Sequence, residues 1–437
     1  MTSSKEIKIG LLGFGTIGTG VVKILNTNSP LISRRLGAKI TLAKVADIRP
    51  GPRAGAPLKP GVFTTDALSV VENPVIPIIV ELIGGDTIAL KLVKRALELG
   101  KHVVTANKAM LAKHGEDLFA IAQKTGANLA FEASVGGAIP IIKSMKESFV
   151  ATEISSLYGI INGTSNYILT KMSLKGEDFK AALARAQKEG YAEADPTFDI
   201  DGTDAGHKLA ILVMLAFGTP VNFADIYREG ITNLTPLDIE VASEFGYRIK
   251  LLAIAKNVKG AIEARVHPTL ISKEHALANV EGVHNAIFVK GEPVGESMLF
   301  GFGAGMMPTA GAVIGDIVDL ARDILARASP HRVPICAWHP PHRHKLAIRN
   351  ISERVGEYYI RCTVMDRPGV LAKIASVLGR HNISIAQVWQ RSRDFQNTVP
   401  IFLLTHEAQE KNLVKAVAQI DKLSVVKGKT FYLRIED

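Results

Sequence analysis

The chain has 437 residues, 47% hydrophobic and 22% charged, with a formal net charge of +10. That length exceeds one ordinary core and predicts two or three compact units, while no uninterrupted apolar run reaches the roughly 20 residues that span a bilayer, so no membrane partner is expected. Its 52 Lys and Arg are interspersed with 42 Asp and Glu rather than gathered into a basic arm; the expected partner is an anionic small molecule, not nucleic acid.

The first residues enter a strand-like run without the features of a signal peptide, and Cys336 and Cys362 are too few for a disulfide framework, so a cytoplasmic setting is expected. The β-branched runs 7–12, 40–46, 78–82, 102–105 and 128–131 are predicted strands, mostly separated by amphipathic helical stretches. This alternation predicts an α/β domain over residues 1–135, a Rossmann-like doubly wound parallel sheet covered on both faces. The Gly- and Pro-rich segment 50–60 is a predicted loop.

Residues 136–330 are predicted to form an α+β domain, with 308–330 expected to pack back on the first. It has an apolar helix over 208–217 stopped by Gly218 and Pro220, extended segments at 261–266, 286–290 and 297–300, and a helix over 309–325. Residues 331–355 are the predicted linker, Pro-rich around 334–349. With no Cys or acidic partner nearby, His339, His342 and His344 there are read as part of a solvated connector. Residues 356–437 are predicted to be an independent small βαββα domain: strand 358–364, turn 366–369, helix 370–381, strands 385–390 and 399–404, helix 409–420.

Gly13-Phe14-Gly15-Thr16-Ile17-Gly18 follows the first strand and opens a helix, the setting in which spaced glycines form a dinucleotide fingerprint. Gly13 serves a tight turn, Gly15 the approach of a pyrophosphate, Gly18 close helix packing, and the helix start at Thr16 and Ile17 offers N–H groups to the anion. At the end of the second strand, Asp47 suits ribose hydroxyls and Arg49 suits a 2′-phosphate. NADP through Arg49 is favoured, and NAD through Asp47 stays open.

The densest polar cluster spans 189–196 and continues with Asp199, Asp201, Asp204 and Lys208. Asp204 and Lys208, four residues apart, share one face of a helix that is otherwise too apolar to be anything but buried. Buried charges of that kind need a paired or ligand-lined site.

The segments 105–108, 132–137, 162–167 and 190–196, the step from Asp204 to Lys208 and the turn 303–305 together resemble the homoserine dehydrogenase family. The resemblance covers residues 7–327 in matching order, and no segment resembles an aspartate kinase. It implies reduction of L-aspartate 4-semialdehyde to L-homoserine with a nicotinamide cofactor, in threonine, methionine and isoleucine biosynthesis. By it, residues 136–330 serve substrate binding, catalysis and dimerisation. Lys208 is the proton donor and acceptor, Glu193 and Asp204 hold the substrate amino group and orient the reacting oxygen, and Lys108 lies between cofactor and substrate. Thr164 joins the substrate site, while Gly190, Gly303 and Gly305 approach the nicotinamide. A monovalent cation, expected to be Na+, is held mostly by backbone carbonyls at Glu132, Val135, Gly137 and Ile139. A homodimer or homotetramer is expected. Two departures stand out: Phe302 where the family commonly has proline, and Met306 with Met307 where smaller or polar residues are usual. Finally, Asp366-Arg367-Pro368-Gly369-Val370-Leu371 within the C-terminal unit resembles an ACT domain, which implies feedback by threonine, with Asn382 a candidate ligand contact.

Overall fold

The β-branched runs at the start of the chain become one parallel sheet. In the computed structural model, which describes residues 5–49, 51, 53, 55–390 and 398–436, its strands are β1 (Glu6–Leu12), β2 (Lys39–Ala46), β3 (Phe63–Thr64), β4 (Ile78–Glu81), β5 (His102–Thr105) and β6 (Leu129–Ala130). Pro50, Pro52 and Ala54 of the expected 50–60 loop lie outside the described residues. Between them run α1 (Thr16–Leu36), α2 (Ala67–Glu72), α3 (Ile88–Glu98) and α4 (Lys108–Thr125). The order β3-β2-β1-β4-β5-β6, with every neighbouring pair parallel, is the Rossmann arrangement expected. Ile9, Leu11, Ile78, Val80, Val103 and Val104 are fully buried, as strands covered on both faces require. The connection reverses between β1 and β4, which opens a crevice at their C-terminal ends. Only β3 escapes sequence periodicity, being two residues long.

The chain divides into two compact units: residues 1–157, 207–224 and 284–346 in one, 158–206, 225–283 and 347–437 in the other. Within the first, the helix Met306–Ala326 packs on α1, where Gly20 lies against the Met306 carbonyl and the Ala310 Cβ. The strands His284–Glu292 and Gly295–Phe302 form an antiparallel hairpin in the same unit.

The second unit is built on a longer hairpin, Tyr247–Val258 against Ala261–Ser272, of which residues 261–266 alone are legible as extended. The C-terminal module follows, with strands Tyr358–Met365, Thr398–Thr405 and Ile385–Gln390 side by side and helices Val370–Arg380 and Glu410–Ile420 burying Ile374, Val377, Leu378, Leu413 and Ile420 in its core. A last strand, Phe431–Glu436, makes it βαββαβ. That strand pairs antiparallel with Tyr358–Met365 and parallel with Ala261–Ser272, Thr269 opposite Arg434. The module is therefore not the independent domain expected. Its joining strand hides in the sequence because Arg434 and Glu436 read as solvent-facing, yet both are buried in ion pairs.

The expected solvated connector is also corrected. Ile335 and Cys336 are buried, the Trp338 indole donates to the Leu215 carbonyl at 2.8 Å, and Arg343 pairs with Glu116. Further on, Ile262 exchanges backbone hydrogen bonds with Ala347 and Arg349, both 2.8 Å. Apolar side chains between the prolines anchor this stretch, whereas His339, His342 and His344 are exposed.

Candidate active site

The glycine loop in the first unit has the geometry that a dinucleotide demands. Gly13 has φ +96°, and a Cβ there would meet the Leu82 carbonyl at 2.6 Å; a Cβ on Gly18 would meet the Gly13 carbonyl at 2.2 Å. Gly15 caps α1 with no atom within 4 Å of a would-be Cβ, and no acidic residue stands in the first turn, so the helix start at Thr16 and Ile17 is open to an anion.

Asp47 does something the sequence does not announce. Its carboxylate accepts the Phe14 N–H at 2.7 Å and the Arg49 N–H at 2.8 Å, so it braces the loop from β2. Arg49 is exposed. Beside it Arg53 donates to the carbonyls of Phe14 at 3.0 Å and Arg49 at 3.1 Å, its guanidinium 5.5 Å from the Phe14 ring centre. No spacing signal marks Arg53, since it lies in the Gly/Pro-rich loop.

At the ends of β4 and β5 a second set of bonds shapes the crevice. Glu81, fully buried, accepts the N–H groups of Ile83 and Gly84 at 2.8 and 3.0 Å and the Thr105 hydroxyl at 2.6 Å. Asn107 caps α4 through the Met110 N–H and donates to the Gly85 carbonyl at 2.6 Å. Lys108, half-buried, is the first residue of that helix.

The region expected to hold a cation is also in this unit. The Glu132 carboxylate accepts the N–H groups of Ile142 and Lys143, both at 2.9 Å, and the Glu132 N–H donates to Asp316 at 2.8 Å. Burial, then the nearby Asp316, pushes the Glu132 carboxyl up to about 7; burial raises Asp316 to about 6. The Glu132 side chain is thus occupied, leaving backbone oxygens for any ion. Gly137 lies against the Gly303 carbonyl, and Gly303 against Asn285, whose buried Oδ1 and Nδ2 have no hydrogen-bond partner. The Phe302 ring packs tilted against His284, ring centres 4.9 Å apart, and Met306 packs beside Gly20.

The second unit gathers the acids. Asn162 donates to Asp199 at 2.8 Å and to Asp204 at 2.9 Å, the Ser165 hydroxyl donates to the Asp199 carbonyl at 2.6 Å, and the Thr164 hydroxyl donates to the Tyr191 carbonyl at 2.7 Å. Gly190 ends the preceding helix with φ +78°. Glu193 is exposed, with its backbone carbonyl taken by Gln187 at 3.1 Å. Asp204 stands in the first turn of the helix Thr203–Phe217, and Lys208, one turn on and counted with the first unit, shares that helix; each is 8% exposed, as the apolar helix predicts. Among the described residues no cluster of His, Cys, Asp and Glu could hold a metal, and no helix is long and apolar enough to cross a membrane.

Three sequence families match: "Homoserine dehydrogenase, NAD binding domain" over residues 13–132, "Homoserine dehydrogenase" over 140–318 and "ACT domain" over 358–425. The chain is 45% identical over 432 residues to the homoserine dehydrogenase of Neisseria gonorrhoeae, covering 99% of each. The chain belongs to the homoserine dehydrogenase family. It is accordingly an NAD(P)-dependent oxidoreductase acting on a CH–OH group, with a C-terminal ACT domain. A solved homoserine dehydrogenase from Thiobacillus denitrificans superposes with a TM-score of 0.92 at 46% identity, covering 100% of both chains. A hyperthermophilic archaeal homoserine dehydrogenase mutant, solved in complex with NADPH, matches 75% of this chain with a TM-score of 0.62 at 28% identity. In this chain the ACT match lies beyond the catalytic segments, and its sheet gains a strand, Phe431–Glu436, outside the matched residues.

Proposed function

We propose that Lys208, Asp204, Glu193, Lys108 and Thr164 form the site where L-homoserine and L-aspartate 4-semialdehyde interconvert. The observation that carries this is that Asp204 and Lys208 lie buried one turn apart on an apolar helix, the Asp204 carboxylate fixed by Asn162 at 2.9 Å, so that an acid and an amine are presented together. The nicotinamide supplies or accepts the hydride when bound. Lys208 handles the proton at the reacting oxygen, Asp204 and Glu193 hold the substrate ammonium and orient that oxygen, Lys108 at the start of α4 serves between cofactor and substrate, and Gly190, Gly303 and Gly305 leave room for the ring. Replacing Lys208 by Met is expected to lower kcat for homoserine oxidation by about 100- to 10,000-fold, followed by nicotinamide absorbance; unchanged turnover would overturn the reading.

NADP is the favoured cofactor. Asp47 spends both oxygens on backbone N–H groups, which leaves Arg49 and Arg53 as the groups at that turn suited to a 2′-phosphate. The NADPH complex of the archaeal relative agrees with this. A hard monovalent cation such as Na+ is proposed at the backbone carbonyls of Glu132, Val135, Gly137 and Ile139, oxygen donors of the kind such an ion prefers, the Ile139 carbonyl also accepting the Ile141 N–H at 2.8 Å. Such an ion would brace the segment and takes no part in the proton step.

The ACT domain is proposed to sense threonine. Its last strand bonds directly to Ala261–Ser272, so ordering by a ligand has a mechanical route into the long hairpin of the same unit. Asn382 is left-handed at φ +56°, with its N–H on the Gly379 carbonyl at 3.0 Å; it acts as a turn residue first. Homoserine oxidation unaffected by millimolar L-threonine would exclude this regulation. Met298, Phe300 and Phe302 form an exposed apolar row on one strand, which supports pairing of two copies, checked by light scattering. The segments then serve as nucleotide binding over 1–135, catalysis and pairing over 136–330 and sensing over 356–437, in a cytoplasmic biosynthetic enzyme.

A further inference from the structure

We propose that Asn162 is a positioning residue that clamps Asp199 and Asp204 through one carboxamide, fixing the direction of the acidic wall that receives the substrate. This rests on the reading of Asp204 as a substrate-side carboxylate. Asn162 is 6% exposed and caps the helix Gly163–Lys175, its Oδ1 accepting the Ser165 N–H at 2.8 Å. That bond decides which end of the amide is which, because the inverted group would set donor against donor. Nδ2 is thereby turned to the acids, one hydrogen for Asp199 Oδ1 at 2.8 Å and one for Asp204 Oδ2 at 2.9 Å.

The same short stretch grips Asp199 a second time, since the Ser165 hydroxyl donates to the Asp199 carbonyl at 2.6 Å. The helix start at 162–165 therefore sets the side chain and the backbone of Asp199 together. Two carboxylates meeting one nitrogen repel each other, and a cationic residue at 162 would hold them only by neutralising them. A neutral amide fixes their direction without adding a positive charge of its own. An aliphatic side chain there would let them rotate apart. The Asp204 to Lys208 spacing points to the acid and the lysine, but nothing in sequence spacing points to an asparagine 42 residues upstream.

Asn162→Ser separates clamp from cap, because serine caps helices as well as asparagine but is too short to reach either aspartate. Asn162→Asp keeps the size and the cap oxygen, loses both donors and adds a charge. With the full-length enzyme and NADP+, both variants are expected to raise the homoserine KM about tenfold or more, the effect of losing hydrogen bonds to charged groups. The NADP+ KM should stay within about twofold, and the Tm of Asn162→Ser within a few degrees of the parent. Homoserine constants unchanged in Asn162→Ser while Asp204→Asn is impaired would overturn the clamp. Equal losses in both KM values and in Tm would make Asn162 a cap only, which overturns it as well. An unimpaired Asp204→Asn would remove the reading beneath the proposal, and the proposal with it.

Discussion

Buried carboxylates in the first unit face the backbone: Glu81 accepts from Ile83 and Gly84, Glu132 from Ile142 and Lys143, and half-buried Asp47 accepts from Phe14 and Arg49. In the second unit Glu410, Glu229 and Glu436 face cationic side chains instead. Glu410 takes Arg434, Glu229 takes the same guanidinium at 2.7 Å, and Glu436 takes Arg265, Arg354 and Lys256. Burial alone would raise Glu436, but Arg265, Lys256 and Arg354 outweigh it and hold the carboxyl below the usual range. A carboxylate bonded to nearby N–H groups shapes one loop, whereas a carboxylate bonded to distant cations staples separate parts of the chain. The first unit should therefore be sensitive to backbone geometry around the nucleotide, and the second to loss of individual charges.

The largest effect is expected from Arg434→Met. It strands Glu410, which is 2% exposed, and should cost about 3–5 kcal/mol of stability, read as a fall in Tm or in the denaturant midpoint. A fall of only a degree or so would break the contrast between units. Next comes Gly18→Ala in the first unit, whose Cβ would lie 2.2 Å from a carbonyl oxygen. Loop displacement of that kind should raise the NADP+ KM about 100-fold while moving the homoserine KM little, as steady-state kinetics with each substrate varied would test.

Lys250 sharpens the picture of the second unit. Burial, reinforced by Arg248 and opposed by Glu281, lowers its ammonium to about 8 from 10.5, and it donates to the Val280 carbonyl at 2.6 Å. Between those values the folded chain binds fewer protons than the unfolded chain, so stability rises with pH across the window. The parent should gain roughly 2 kcal/mol from pH 8 to 9.5 relative to Lys250→Met, measured by urea unfolding at each pH. An equal slope in both proteins would rule this out. The smallest effect is expected of Arg53→Ala, about tenfold on the NADP+ KM with NAD+ barely affected, because one guanidinium contact to an exposed phosphate is lost.

How much of this was legible follows the same division. Gly13, Gly15 and Gly18 declare their roles because a turn, an open approach and a tight helix crossing are local demands on residues with no side chain. The buried helix carrying Asp204 and Lys208 is equally plain from its apolar run. Asp47 was legible as a polar group at the end of β2 but not as the brace for Phe14, which depends on where the loop folds back. Glu81 and Arg53 carried no pattern at all, since one ends a four-residue strand and the other sits among prolines and glycines. The connector around Trp338 looked solvated because its prolines and histidines outnumber the apolar residues that anchor it.

Periodicity and turn chemistry were enough for a Rossmann sheet and a dinucleotide loop, and motifs in matching order for the resemblance to the homoserine dehydrogenase family and an ACT domain, because each strand, turn and motif is written in consecutive residues. Folding alone decided that Arg434 and Glu436 are interior, since their partners Glu229 and Arg265 stand 205 and 171 residues away. No local pattern can tell a charge that meets its counter-ion at such separation from one that meets water.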